Sequence, residues 1–125
     1  MVLVDTGDNT QVKRENRLRY LAGGLSTSDL SNADADEFLN RGDEWMENGT
    51  GTWADTLDDA NLRIQAAEHW AAAEVLDGIP TPQAASKATE FRNSARGTIS
   101  RINKKTVEGG AAVFQKTKGF NNRDD

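Results

Sequence analysis

His69 is the only histidine of the chain, and there is no cysteine. A single imidazole with no thiolate partner cannot complete a zinc set. Disulfides and thiolate metal sites are excluded outright. His69 stands mid-helix among Ala66, Trp70 and Ala73, the setting of a core or groove histidine. Glu68 and Glu74, or Asp58 and Asp59, offer paired carboxylates of the kind used in general acid–base work, yet no pocket signature accompanies them. Asn32-Ala-Asp-Ala-Asp-Glu37 places oxygen ligands at alternate positions, as a calcium loop does. It lacks the glycine at the sixth place and the bidentate Glu at the twelfth, where Asp43 stands. Acids at a helix start explain it better. Gly23-Gly24 and Gly109-Gly110 belong to no phosphate-binding pattern, and Asn48-Gly49-Thr50 is a short glycosylation match that carries no weight here. The expectation is a protein that is not an enzyme and has no cofactor and no metal.

The cations have more to offer. Arg92, Arg96, Arg101, Lys104 and Lys105 form a basic run, followed by Phe114, Lys116, Lys118 and Phe120. Clustered cations suit phosphate, and a small helical DNA-binding or regulatory protein using this run is the alternative reading. Against it stands the rest of the chain. Ser26 to Ser86 carries thirteen acidic residues and two basic ones, whereas Lys87 to Arg123 carries nine basic and two acidic. An acidic body with a basic tail grips a macromolecular partner or another copy of itself. Isolated aromatics flanked by cations anchor such contacts, each buried ring contributing roughly 1.5–3 kcal/mol before ordering costs. The residues expected to bind the partner are Arg101, Lys104, Lys105, Phe114, Lys116, Lys118 and Phe120.

These groups must be positioned by helices. A first helix is expected from about Thr10 to Ala22, capped by Asp8 or Asn9 and ended by Gly23-Gly24. Val12, Leu18 and Leu21 give it a thin apolar stripe, with Lys13, Arg14, Arg17 and Arg19 around the rest. The second begins after Ser31 and has acids in its first turn, where the helix dipole favours them. Ala35, Phe38, Leu39, Gly42, Trp45 and Met46 recur on one face, and Gly49 reads as the left-handed stop. Trp53 in the following loop is expected to fold back onto the core. The third helix, about Leu57 to Asp77 with Thr56 as cap, is alanine-rich on most of its circumference and reads as the central one. Trp70 belongs to its apolar surface. Pro82 opens a fourth helix capped by Thr81. Its seam is Ala84, Ala88, Phe91, Ala95, Ile99 and Ile102, with Gly97 as a weak point. Regularity fades beyond Lys105. The fold class is therefore all-α, a small four-helix bundle-like domain over residues 1–106 with an extended C-terminal arm over 107–125.

A length of 125 residues and an apolar fraction of 36% allow one modest core. No apolar run approaches the ~20 residues that span a bilayer, and Met1-Val-Leu-Val-Asp5 lacks the regions of a signal peptide. A soluble intracellular protein is the default. Asp outnumbers Glu and Arg outnumbers Lys, a surface suited to a salt-loving host.

Leu21-Ala-Gly-Gly-Leu25, Ser28-Asp-Leu-Ser-Asn-Ala-Asp34, a helix ending near Gly49 and the alanine-rich Glu68-His-Trp-Ala-Ala-Ala-Glu-Val-Leu76 follow one another in a telling order. That layout, over about residues 12–105, resembles the head–tail connector adaptors of tailed viruses. The loop at 49–52 and Gly97 depart from the family pattern. The resemblance implies a virion protein of the neck, made in the host cytoplasm, that forms a homo-oligomeric ring, a dodecamer, beneath the portal. The partners implied are the portal protein and the next tail or neck protein, with DNA only in passage through the channel and no membrane. Joined to the acidic bias, it points to a tailed virus of a haloarchaeon.

Overall fold

The computed structural model describes the backbone of residues 10–50 and 57–110, and side chains over 10–50 and 61–103. Among the described residues there are four helices and no strand, so the chain is all-α. They are α1 (Gln11–Leu21), α2 (Asn32–Thr50), α3 (Leu57–Asp77) and α4 (Pro82–Gly110). Trp53, Phe114, Lys116, Lys118 and Phe120 lie outside the described residues, as do the side chains of Lys104 and Lys105.

Local chemistry sets most helix ends. Thr10, rather than Asp8 or Asn9, caps α1, its Oγ1 accepting from the Lys13 amide at 3.4 Å. Gly23 and Gly24 then take φ of 112° and 76°, which only glycine adopts at no steric cost. The amides of Gly24 and Leu25 both return to the Arg19 carbonyl, at 2.9 and 3.0 Å. Ser26 and Asp29 close a tight turn, the Asp29 carboxylate accepting from both the amide and the hydroxyl of Ser26 at 3.0 Å. These bonds hold the Asp29 pKa below its ordinary value. Ser31 caps α2 through the Asp34 amide at 3.2 Å, and Thr81 caps α4 through the Ala84 amide at 3.1 Å, both as expected.

Two ends differ from expectation. α2 does not stop at Gly49 but runs to Thr50. A Cβ at Gly49 would lie 2.9 Å from Cδ1 of Ile99 on α4, so the glycine serves a close approach of two helices. α4 does not fade at Lys105 either; it continues as helix to Gly110, four residues into the segment expected to be extended.

Packing follows the apolar spacing on three helices. Ala35, Leu39 and Met46 of α2, Ala66, Ala67, Ala71 and Ala73 of α3, and Ala84, Ala88, Ala95 and Ile102 of α4 are buried. α3 packs against all three other helices, as a central helix must, and α2 shares that position; the backbones of α1 and α4 make no close approach to each other. At Gly97 a Cβ would meet no atom within 4 Å. Gly97→Ala is therefore expected to stabilise the protein by ~1 kcal/mol through helix propensity alone. A urea midpoint that stays put or falls would contradict this.

α1 departs most from expectation. Val12 is 63% exposed, so it forms no part of the packed stripe. The face turned inward is Arg14, Glu15, Leu18, Arg19 and Ala22. Charges occupy buried positions because partners on other elements are placed to meet them. Arg19 donates from Nε to the Leu30 carbonyl at 2.8 Å and from Nη1 to Asn16 Oδ1 at 3.2 Å, with a further bond to Asn32. This ties α1 to the start of α2.

Candidate functional site

The densest polar chemistry lies where α1, α2 and α3 meet. Arg14 is 3% exposed, Asp43 2% and Glu68 4%. Arg14 donates from Nη2 and Nη1 to the two Asp43 oxygens at 2.9 and 3.3 Å, and from Nε to Glu68 Oε2 at 2.8 Å. Arg17 approaches from the rim and gives Glu68 two more bonds at 2.9 Å. Two cations and two anions close a neutral cluster joining three helices. Burial works against the Arg14 charge, yet the bonds and charges of Asp43 and Glu68 outweigh it and raise its pKa above the ordinary arginine value. Burial pushes the Asp43 carboxyl upward against the pull of Arg14, whose bidentate bonds favour the ionised form.

That arrangement holds helices together rather than moving protons. Glu68 accepts three guanidinium bonds, which occupy the oxygens a general base would need free. Glu68 and Glu74, paired in sequence terms, are not brought together: Glu74 meets Arg41 of α2 at 3.8 Å. His69 sits half-buried beside Ser94, with Nδ1 3.0 Å from its Oγ and its ring tilted against Phe91 at 5.2 Å. Burial lowers its pKa, with Glu68 opposing, which favours the neutral ring. Among the described residues no group of acids and histidine is placed to hold a metal ion. No helix there is long and apolar enough to cross a membrane.

A second carboxyl pair joins α1 to α2. Glu15, 5% exposed, is hydrogen-bonded to Asp36, to which Gln11 also donates. Burial and Asp36 together push the Glu15 pKa up to about 7, with Arg19 opposing. The folded protein therefore holds a proton that the unfolded chain releases near its ordinary value of 4.5. This contribution is fully present below that value and is lost as pH rises through about 7. Glu15→Gln is expected to flatten the slope of stability between those limits. At pH 8 it should raise stability by ~1–3 kcal/mol. Urea titrations at pH 5 and 8 that move in parallel for both proteins would contradict this.

On the far side, α2, α3 and α4 meet in an aromatic face. Trp45 and Trp70 stack with centroids 4.0 Å apart and planes inclined by 6°. Trp70 is only half-buried, not part of the closed core, and its ring carries the guanidinium groups of Arg92 and Arg96 at 5.4 and 5.3 Å. Arg92 also pairs with Asp77, which raises its pKa. Lys87 lies 4.0 Å from Glu90. Of the basic run, Arg92 and Arg96 are thus engaged within the chain. Of the residues expected to bind a partner, Arg101 is described, and it is exposed on α4 with no ion pair among the described residues.

Sequence reasoning missed Arg14, Glu15 and Asp43. The signal was present as spacing: Asp43 falls between Leu39 and Met46 on the buried face of α2, and Arg14 precedes Leu18 by one turn. Comparison of the chain with protein-family models, curated proteins and solved structures found no match.

Proposed function

We propose that this protein is a structural adaptor of a tailed virus: a head–tail connector that forms a ring, a dodecamer, under the portal and joins the DNA-filled capsid to the tail. It would reside in the neck of the virion, and it is not an enzyme in this reading. The observation that carries the proposal is the length of α4. Its 29 residues extend about 44 Å, against about 32 Å for the 21 residues of α3 beside it. Near Asn103, whose side chain donates to the Gly49 carbonyl at 3.1 Å, α4 passes the end of α2. Seven more helical residues lead from there toward Phe114, Lys116, Lys118 and Phe120. A rigid rod that outlasts its bundle and continues into a basic, aromatic-bearing segment suits a protein that grips a neighbour. Side-by-side copies in a ring multiply weak single contacts through effective concentration. Exposed acids on the body, such as Asp34, Glu37 and Glu44, support the salt-loving host.

The DNA-binding alternative has less support because Arg92 pairs with Asp77 and both Arg92 and Arg96 lie on the Trp70 ring. Full-length protein mixed with the portal protein of the same virus is expected to give a larger complex in mass photometry. Deletion of residues 111–125 should abolish that complex while leaving the helical circular dichroism signal in place. A full-length protein that ignores the portal at low and high salt would overturn the proposal.

A further inference from the structure

α2 and α3 each pack against all three other helices, whereas α1 and α4 stand apart. The molecule is thus an α2–α3 pair flanked by α1 on one edge and α4 on the other. That leaves two broad sides of opposite character. On the α3 side a groove of about 620 Å³ lies between α1 and α3 beside Tyr20, Ile64 and His69, and a second of about 330 Å³ lies between the end of α1 and the start of α4 beside Ile79 and Lys87. Leu21 lines both, so they adjoin. Tyr20, 79% exposed, stands on the rim.

The rim is basic. Lys13, Arg17 and Tyr20 recur at four- and three-residue spacing on α1, which is one face. Lys87, Ser94 and Arg101 recur every seven residues on α4, and Ser94 holds His69 of the groove wall. The α4 stripe therefore faces the groove. The other broad side is the outer face of α2, opposite its buried Leu39 and Met46. It exposes Asp34, Glu37 and Glu44, with Arg41 paired to Glu37 at 3.8 Å, so the face is net acidic.

We propose that the acidic outer face of α2 of one copy seats in the basic-rimmed groove between α1 and α4 of the next. The inference rests on the ring reading above and names its interface. A convex ridge and a concave groove on opposite sides of one subunit form a heterologous, head-to-tail contact, which closes into a ring when the rotation between copies allows it. Each copy uses its ridge once and its groove once. Charge complementarity sets the register and suppresses ridge-to-ridge pairing.

The test exchanges the charges. Lys13→Glu with Arg101→Glu reverses the exposed rim charges, and Glu37→Lys with Glu44→Lys reverses those of the ridge. All four side chains are exposed, and an unchanged helical circular dichroism signal and urea midpoint establish that each variant is folded. Self-association is followed by sedimentation velocity in about 0.1 M salt, with the protein free and on the portal. Each double variant alone is expected to associate roughly tenfold more weakly or not at all. An equal mixture of the two, and a chain carrying all four reversals, should assemble again because the signs match once more. Assembly unchanged in either double variant, or a mixture that stays apart, overturns the interface while a wild-type ring keeps the ring reading. A wild-type chain that is monomeric both free and on the portal overturns both. Rim variants that lose only an acidic peptide ligand, with the ring intact, would reassign the groove to another partner and sink the proposal.

Discussion

Arg14→Ala is expected to destabilise the protein by ~3–5 kcal/mol, the cost of leaving buried charge without its partner. Removing this guanidinium takes both hydrogen bonds from Asp43 and one from Glu68. Glu68 keeps Arg17; Asp43, 2% exposed, keeps no cation among the described residues. The loss therefore concentrates on Asp43, whose carboxyl should take up a proton at higher pH in the variant. Arg14→Met combined with Asp43→Leu removes the orphaned charge, and the double variant should recover much of the loss. A buried pair exchanged for apolar side chains of similar size is often neutral or better. A double variant no more stable than Arg14→Ala would show that the cluster stabilises by more than mutual compensation. A loss below ~1 kcal/mol for the single variant would mean that water or another group satisfies Asp43.

Gly42→Ala is expected to be the most damaging single methyl group that can be added to this bundle. Its Cβ would lie 2.2 Å from the Ala67 carbonyl oxygen and 3.1 Å from the carbonyl carbon. Both are backbone atoms in the middle of α3, so no rotamer change can relieve the clash. The helices must separate, and Ala71, whose Cβ is the next neighbour at 3.4 Å, loses its contact too. Overpacking costs ~1–3 kcal/mol where side chains can yield; here the upper end or beyond is expected. The check is the urea midpoint of Gly42→Ala beside Gly97→Ala, the same substitution in open space. Opposite signs are the expected result, and equal effects would refute the close crossing of α2 and α3.

Those two glycines show why part of the structure was legible and part was not. Gly42 and Gly97 both lie inside helical patterns, and propensity treats them alike. Only the distance to a neighbouring chain segment separates a required glycine from a dispensable one. Caps were readable because a cap is a bond between residues three apart. Ser31 and Thr81 therefore did what their positions implied. The α4 seam was readable because an alanine or isoleucine in water costs free energy whatever it later packs against.

α1 defeated the same logic. Its inward face carries Arg14, Glu15 and Arg19, and a charge is scored as solvent-facing until its partner is known. The partners lie far along the chain, Asp43 and Glu68 for Arg14 and Asp36 for Glu15. Residues 10–50 and 57–110 thus divide by the range of the interaction that orders them. Helix existence, the Ser31 and Thr81 caps and the apolar faces of α2, α3 and α4 follow from the chain alone, since local bonding and hydrophobic burial need no knowledge of the partner. The ionic cluster, the docking of α1, the crossing at Gly42 and the open groove over α3 were decided by tertiary structure. Each depends on where a distant atom ends up, and pairing between distant charges leaves no mark on local periodicity.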